Sequence, residues 1–272
     1  MKMKKTLALL IGVTISGSAL AANWDWDGDA FPDTSWNNPT NWRDNAFYEA
    51  GDLPIFRPGD FATVPVGVNF SMPSKPLRLG QDGTGSTEVQ ITGGDLTIQH
   101  NAYLGFKGAT CTGILTVSNG SFTVSTTKDL NMSDKDSSGT LNMYGGSVDV
   151  SRNLNLKAGS GTSTIGLYAG TLACNGLNVS AGANVDITID SGLWEIGGDS
   201  FSNISALVTA GDIVGDGSSG GADVSAYTFV TNDVSGDLNW GLSIVGLETN
   251  TVVYTIGVAG EASLILDPPV QL

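Results

Sequence analysis

Five glycines, Gly94, Gly120, Gly146, Gly170 and Gly192, recur at intervals of 26, 26, 24 and 22 residues, each within the same short pattern. The copies run from Glu88 to Ile98, Ile114 to Val124, Thr140 to Val150, Thr164 to Cys174 and, more loosely, Asp186 to Ile196. In each, apolar and polar residues alternate, the chain turns at the glycine, and the alternation resumes. That is the period-2 signature of two short strands joined by a corner. A third strand follows in most copies, at Leu104-Gly-Phe106, Leu130-Asn-Met132, Leu154-Asn-Leu156 and Leu177-Asn-Val179, with Leu77-Arg-Leu79 as its earlier equivalent.

Repetition at a fixed period of about two dozen residues is the mark of a solenoid, in which each repeat buries its apolar face only by stacking on its neighbours. The expectation is therefore all-β: a single-stranded parallel β-helix, right-handed by default, with three strands per coil. Successive coils stack about 4.8 Å apart, so like side chains fall into columns. Three inner columns are expected: Ile91, Val117, Met143, Leu167 and Ile189; Leu96, Phe122, Val148, Leu172 and Trp194; and Ile98, Val124, Val150, Cys174 and Ile196. An antiparallel sandwich also shows short alternating strands, but it does not explain glycines at matched places. The register puts Cys174 in the core and Cys111 in the turn before the second copy, two to three coils away. A disulfide needs Cα atoms within about 7 Å, so two free thiols are expected.

Open solenoid ends expose unpaired strand edges, and both flanks suit covering them. Residues 22–60 form an N-terminal cap that opens with Trp24, Trp26, Trp36 and Trp42, and a proline-rich stretch runs from Leu53 to Pro76. The solenoid proper spans 61–214. From 215 to 272 a Gly/Ser linker leads to longer alternating runs at Tyr227–Val230, Leu242–Val245, Val252–Ile256 and Ser263–Leu266, read as an antiparallel β cap.

Residues 1–21 read as an export signal: Lys2, Lys4 and Lys5, a short apolar run from Thr6 to Ile15, and the small-x-small ending Ala19-Leu20-Ala21. The apolar run falls short of the roughly 20 residues that span a bilayer. Cleavage after Ala21 leaves 9 Lys+Arg against 27 Asp+Glu, a net charge of −18. Nucleic-acid and anionic-lipid binding depend on basic residues neutralising phosphate, so neither partner is expected. The localisation expected is secreted, extracellular or at the cell surface.

The signal segment, the opening Trp24-Asp-Trp-Asp-Gly28 with Ser35-Trp-Asn-Asn-Pro39 and Asn41-Trp42, and the repeated apolar-x-apolar-x-x-Gly-x-apolar units together resemble secreted bacterial proteins with autotransporter-like β-strand repeats. The resemblance covers most of the chain beyond the signal and implies a surface or matrix role without assigned chemistry. Many members carry an apolar-plus-basic sorting tail, which the closing Val270-Gln-Leu272 does not match.

Candidate site residues are few. Asp25, Asp27, Asp29 and Asp33 alternate near a glycine, as ligands of a hard cation such as Ca²⁺ do. The spacing partly follows a calcium loop, yet Ala30 stands where its glycine belongs and Trp36 where its bidentate Glu belongs, which favours an ordinary acidic turn. Asp134 with Asp136, and Asp212 with Asp216 and Asp223, are weaker groupings. Trp24, Trp26, Trp36 and Trp42 are candidate glycan contacts, set against the plainer reading that their rings plug the coil. Asn131, Asn155 and Asn178 should form an outward row that either meets sugar hydroxyls or bonds along the stack.

Catalysis finds little footing. A lyase needs a base and charge neutralisation of its substrate, and Lys128, Arg152 and Lys157 share no single column, with no paired acid beside them. A glycoside hydrolase needs two carboxylates roughly 5–10 Å apart. Asp149 and Glu195 are equivalent but two coils apart, with Ala173 between them. His100 falls in a turn without a triad partner in view. The leading expectation is a non-catalytic structural or adhesive solenoid whose partners are extracellular polysaccharide or other surface proteins. The alternatives are a carbohydrate-binding module and a polysaccharide lyase or hydrolase.

Overall fold

The structure is a computed structural model. It describes residues 23–45, 53–73, 75–107, 110–125, 127–189, 192–197, 200–215, 222–223 and 239–243. In chain order the strands are β1 (Asn23–Asp25), β2 (Leu53–Phe56), β3 (Phe61–Val64), β4 (Asn69–Met72), β5 (Leu77–Gln81), β6 (Thr84–Ile98), β7 (Ala102–Phe106) and β8 (Thr110–Val124). They continue as β9 (Leu130–Asp134), β10 (Ser138–Leu156), β11 (Thr162–Val179), β12 (Asn184–Ile189) and β13 (Leu193–Gly197). After α1 (Phe201–Ala210) come β14 (Ile213–Gly215), β15 (Ala222–Asp223) and β16 (Asn239–Ser243).

All sixteen belong to one sheet, wound into a parallel β-solenoid of about five turns. Each coil contributes three faces. The first stacks β3, the opening halves of β6, β8, β10 and β11, then β12 and β14. The second stacks β4, the later parts of β6, β8, β10 and β11, and β13. The third stacks β1, β2, β5, β7, β9 and the ends of β10 and β11.

The inner columns form as the repeat dictates. Ile91 pairs with Val117, Val117 with Met143, Met143 with Leu167 and Leu167 with Ile189, and all five are fully buried. Leu96, Phe122, Val148, Leu172 and Trp194 make the second column, and Ile98, Val124, Val150, Cys174 and Ile196 the third. Side chains of each strand alternate sides, so one register error would turn every apolar residue outward.

The corner glycines are needed for two reasons. Gly120, Gly146 and Gly170 have φ of 84°, 68° and 85°, a region that penalises any Cβ. A Cβ on each would also overlap the carbonyl oxygen of the matching glycine in the preceding coil.

Several expectations are corrected. In the third face Leu104 pairs with Leu79 and Met132, while Ala102 pairs with Leu77 and Leu130, so the strand begins two residues earlier than read. A slip of two preserves the inward face, which is why the alternation alone did not expose it. Cys111 lies buried within β8 rather than in a turn, and donates its thiol hydrogen to the Gly80 carbonyl at 2.7 Å. Both cysteines are free. Parallel stacking also begins before residue 61, because β1 and β2 already pair in register.

The C-terminal end holds a helix that the sequence reading did not place. Following β13, α1 takes the position of the next third-face strand. Ser200 Oγ accepts from the Leu177 amide at 3.1 Å, and Asn203 Nδ2 donates to the Leu177 carbonyl at 2.6 Å. Ile204 and Leu207 cover the core. Two short antiparallel pairings follow, β14 with β15 and β13 with β16. Of the four strands expected in 215–272, only Leu242 and Ser243 lie in a described strand; Tyr227–Val230, Val252–Ile256 and Ser263–Leu266 lie outside the described residues, as does the signal segment 1–21. Among the described residues no helix is long and apolar enough to cross a membrane.

Candidate functional site

The N-terminal tryptophans are core residues. Trp36 and Trp42 are fully buried and Trp26 nearly so, packed around Phe56 with ring centroids 5.0–5.5 Å apart in stacked, tilted and edge-on pairs. The Trp42 indole donates to the Trp36 carbonyl at 2.9 Å. No face of these three rings is free for a sugar, which removes them as glycan contacts. The Trp24 backbone pairs with Pro54, and its side chain lies outside the described residues.

The four aspartates do not converge either. Asp25 is buried and ion-paired to Arg43 and, at 3.1 Å, to Arg57. Asp27 accepts from the Asp29 amide at 3.3 Å; Asp33 accepts from the Ser35 amide and from Asn38 Nδ2, both at 2.8 Å. Each carboxylate but that of exposed Asp29 serves a local turn or ion pair, so the calcium expectation at Asp25, Asp27, Asp29 and Asp33 is not met. Among the described residues no group of three or more His, Cys, Asp or Glu side chains is placed to hold a metal. Near this cluster Asp60 is pushed up to about 6, first by burial and against the pull of the Arg57 amide and guanidinium.

Asn131, Asn155 and Asn178 stand in one row. Asn155 Nδ2 donates to Asn131 Oδ1 at 2.9 Å, and Asn178 Nδ2 to Asn155 Oδ1 at 2.8 Å. Asn131 and Asn155 are only 5% and 7% exposed, so their amides serve the stack and only Asn178 is open to a glycan. Register extends this row backward to Tyr103 and Arg78, whose guanidinium lies 4.2 Å over the Phe106 ring.

Beside it runs a column that the sequence reading missed. The pairings of Leu77 with Ala102, Ala102 with Leu130 and Leu130 with Leu154 fix equivalent positions in four successive coils. Two residues before these stand Lys75, His100, Lys128 and Arg152. Axial bonds hold the turn in step: the Asp129 amide donates to Asn101 Oδ1 at 3.1 Å, and the Asn153 amide to Asp129 Oδ1 at 3.2 Å. Lys128 and Arg152 stand in this column and Lys157 lies elsewhere, so the three share no single column. The two-residue slip in the third strand concealed the alignment of His100. His100 is held below the usual imidazole range, first by burial and then by Lys128, Lys75 and Arg78. Arg152 pairs with Asp129 at 3.5 Å.

A second surface feature also went unread. Tyr144 and Tyr168 stack with centroids 4.9 Å apart and planes within 10°, and Tyr144 is 55% exposed. A Cβ on Gly166 would lie 2.6 Å from the Tyr168 ring, so glycine there gives the ring its place. The signal was present: each tyrosine precedes its corner glycine by two residues. Asp149 and Glu195 share a column with Ala173 between them. Of the weaker acidic groupings, Asp136 accepts from the Ser160 amide at 2.9 Å, and Asp212 is pushed up by burial and by Asp186.

These features define a parallel β-solenoid repeat protein with polar ladders along its outside. Compared with protein-family models, curated proteins and solved structures, the chain matches none.

Proposed function

We propose that this chain is a non-catalytic structural or adhesive β-solenoid, exported by a bacterium and held in its surface or matrix. The observation that carries the reading is the use of outward polar groups. Beyond the Asn row, Thr116 Oγ1 donates to Glu88 at 2.8 Å, Ser121 to Asp95 at 2.6 Å and Gln99 to Ser71 at 3.0 Å, each across one coil. Side chains that a catalytic surface would aim at substrate are here committed to the next rung, which favours a stiff rod. The resemblance to autotransporter-like repeat proteins points the same way.

The test is made in the source cell. Expected are an N-terminus at Ala22, recovery in the surface or medium fraction, and weaker surface attachment when the gene is deleted. Cytoplasmic retention with unchanged attachment overturns the proposal.

A second reading, carbohydrate binding, is favoured by the basic column and by the exposed Tyr144 stacked on Tyr168, in place of the tryptophans. Retention of the purified protein on a polysaccharide matrix supports it, and failure to bind any glycan on a broad array removes it.

A further inference from the structure

Beyond residue 21 the chain has nine Lys and Arg and one His against 27 Asp and Glu. Three of the nine, with the one His, occupy a single turn position in four consecutive coils. Consecutive members are one coil apart, about 4.8 Å along the axis. In a chain this acidic, four basic groups at that spacing raise one another's energy. His100 is held below the usual imidazole range first by burial and then by Lys128, Lys75 and Arg78, in keeping with that crowding. Among the described residues, the one ion pair these four side chains make is that of Arg152 with Asp129 at 3.5 Å.

We propose that this column is a docking strip for an extended acidic polysaccharide of the uronate type, its carboxylates meeting Lys75, Lys128 and Arg152 along the coil axis. The inference rests on the carbohydrate-binding reading and deepens it by naming the ligand class.

Three observations select this occupant. First, the rise of one coil is close to the rise of one pyranose residue in an extended chain, so successive sugars stay in step with the rungs and meet a cation at three of the four. Second, the neighbouring row lies three residues along, within about 10 Å. It presents the partly buried Tyr103 ring, edge-on to Phe106 at 4.8 Å, and the exposed Asn178, groups suited to a sugar face and to hydroxyls. Third, the strip is narrow and the rest of the surface acidic. Nucleic acid needs many phosphates neutralised at once, which a strip one residue wide does not offer.

The test uses the chain from Ala22 to Leu272, with oligogalacturonate, a neutral β-glucan, DNA and anionic vesicles as probes, titrated at low and at physiological salt. The variants are Lys75→Gln/Lys128→Gln/Arg152→Gln and, as control, Lys135→Gln, an exposed lysine outside the column. Unchanged melting of the triple variant certifies its fold; if it melts lower, Lys75→Gln/Lys128→Gln, which spares the Asp129 pair, takes its place. Expected is oligogalacturonate binding that weakens with salt, falls about tenfold in the triple variant, as three exposed ion pairs of ordinary strength give, and is unaltered in the control.

Neutral glucan binding that survives the triple variant, with no preference for the acidic oligomer, overturns the strip while leaving the carbohydrate reading intact. No binding to either glycan overturns the strip, and failure on the broad array as well overturns the carbohydrate reading. Equal, column-dependent binding of DNA or vesicles overturns the uronate assignment in favour of a general polyanion ridge.

Discussion

Asn155 is the most exposed to test at the level of single residues, because it accepts from one neighbouring amide and donates to another while 7% exposed. Replacing it with alanine leaves Asn131 Oδ1 and Asn178 Nδ2 without partners. An unsatisfied buried group costs about 1–3 kcal/mol. Asn155→Ala should therefore lower unfolding free energy by about that much in denaturant titration, whereas Asn178→Ala, at the exposed end, should cost less. Asp60 behaves differently. Its folded-state value, about 6, lies above the ordinary 3.8, first because burial disfavours the charged form. The contribution is thus fully present below about pH 4 and is lost as pH rises through about 6. Asp60→Asn should be free of that decline, so the gap in melting temperature between variant and parent should widen from pH 4 to pH 7. Parallel curves would show that Asp60 does not titrate between the two states. Cys174, buried among Val150 and Ile196, is pushed up to about 12, chiefly by desolvation and against the Trp194 indole beside it. Neither it nor buried Cys111 should react with a thiol reagent until the chain unfolds.

Among elements, the corner glycines and α1 carry the sharpest expectations. Gly146→Ala places a Cβ both in a positive-φ residue and against the Gly120 carbonyl. Replacement where φ is positive costs more than the roughly 1 kcal/mol that Gly→Ala gains elsewhere, so Gly146→Ala should be clearly destabilising in denaturant titration. Gly182, with φ of 77° but nothing near its would-be Cβ, should be milder. The contrast separates packing from backbone strain. Helix α1 closes the third face through Ser200 and Asn203 on the Leu177 backbone, while Ile204 and Leu207 shield the core. Ending the chain after Gly197 would open a strand edge, and such edges template association. That truncation should shift the protein to higher oligomers by light scattering. A short amphipathic helix was illegible in the sequence because Phe201–Ala210 offers under three turns of pattern, next to repeats of period 2.

For the molecule as a whole, each coil touches only its neighbours, so stability is close to a sum of rungs and interfaces. A core truncation such as Phe122→Ala, worth about 3–5 kcal/mol, should loosen adjacent coils before distant ones, and hydrogen exchange resolves the gradient. Calcium should leave the melting temperature unchanged from that in chelator, because Asp25 is committed to Arg43 and Arg57 and Asp33 to Ser35 and Asn38. The sequence by itself determined the solenoid. Gly94 to Gly192 at near-constant spacing, with apolar residues at fixed offsets, leaves stacking as the arrangement that buries every column at once. It also determined the Asn row, since residues at equal offsets in equal repeats must coincide. Only the tertiary structure decided what the N-terminal aromatics and acids do. Trp26, Trp36 and Trp42 look alike in sequence whether they face a sugar or each other, and burial depends on Phe56 and Phe70 arriving from β2 and β4. Only the tertiary structure likewise brought His100 into line with Lys75, Lys128 and Arg152, because the register that backbone hydrogen bonds impose sets Ala102, not Leu104, level with Leu77 and Leu130.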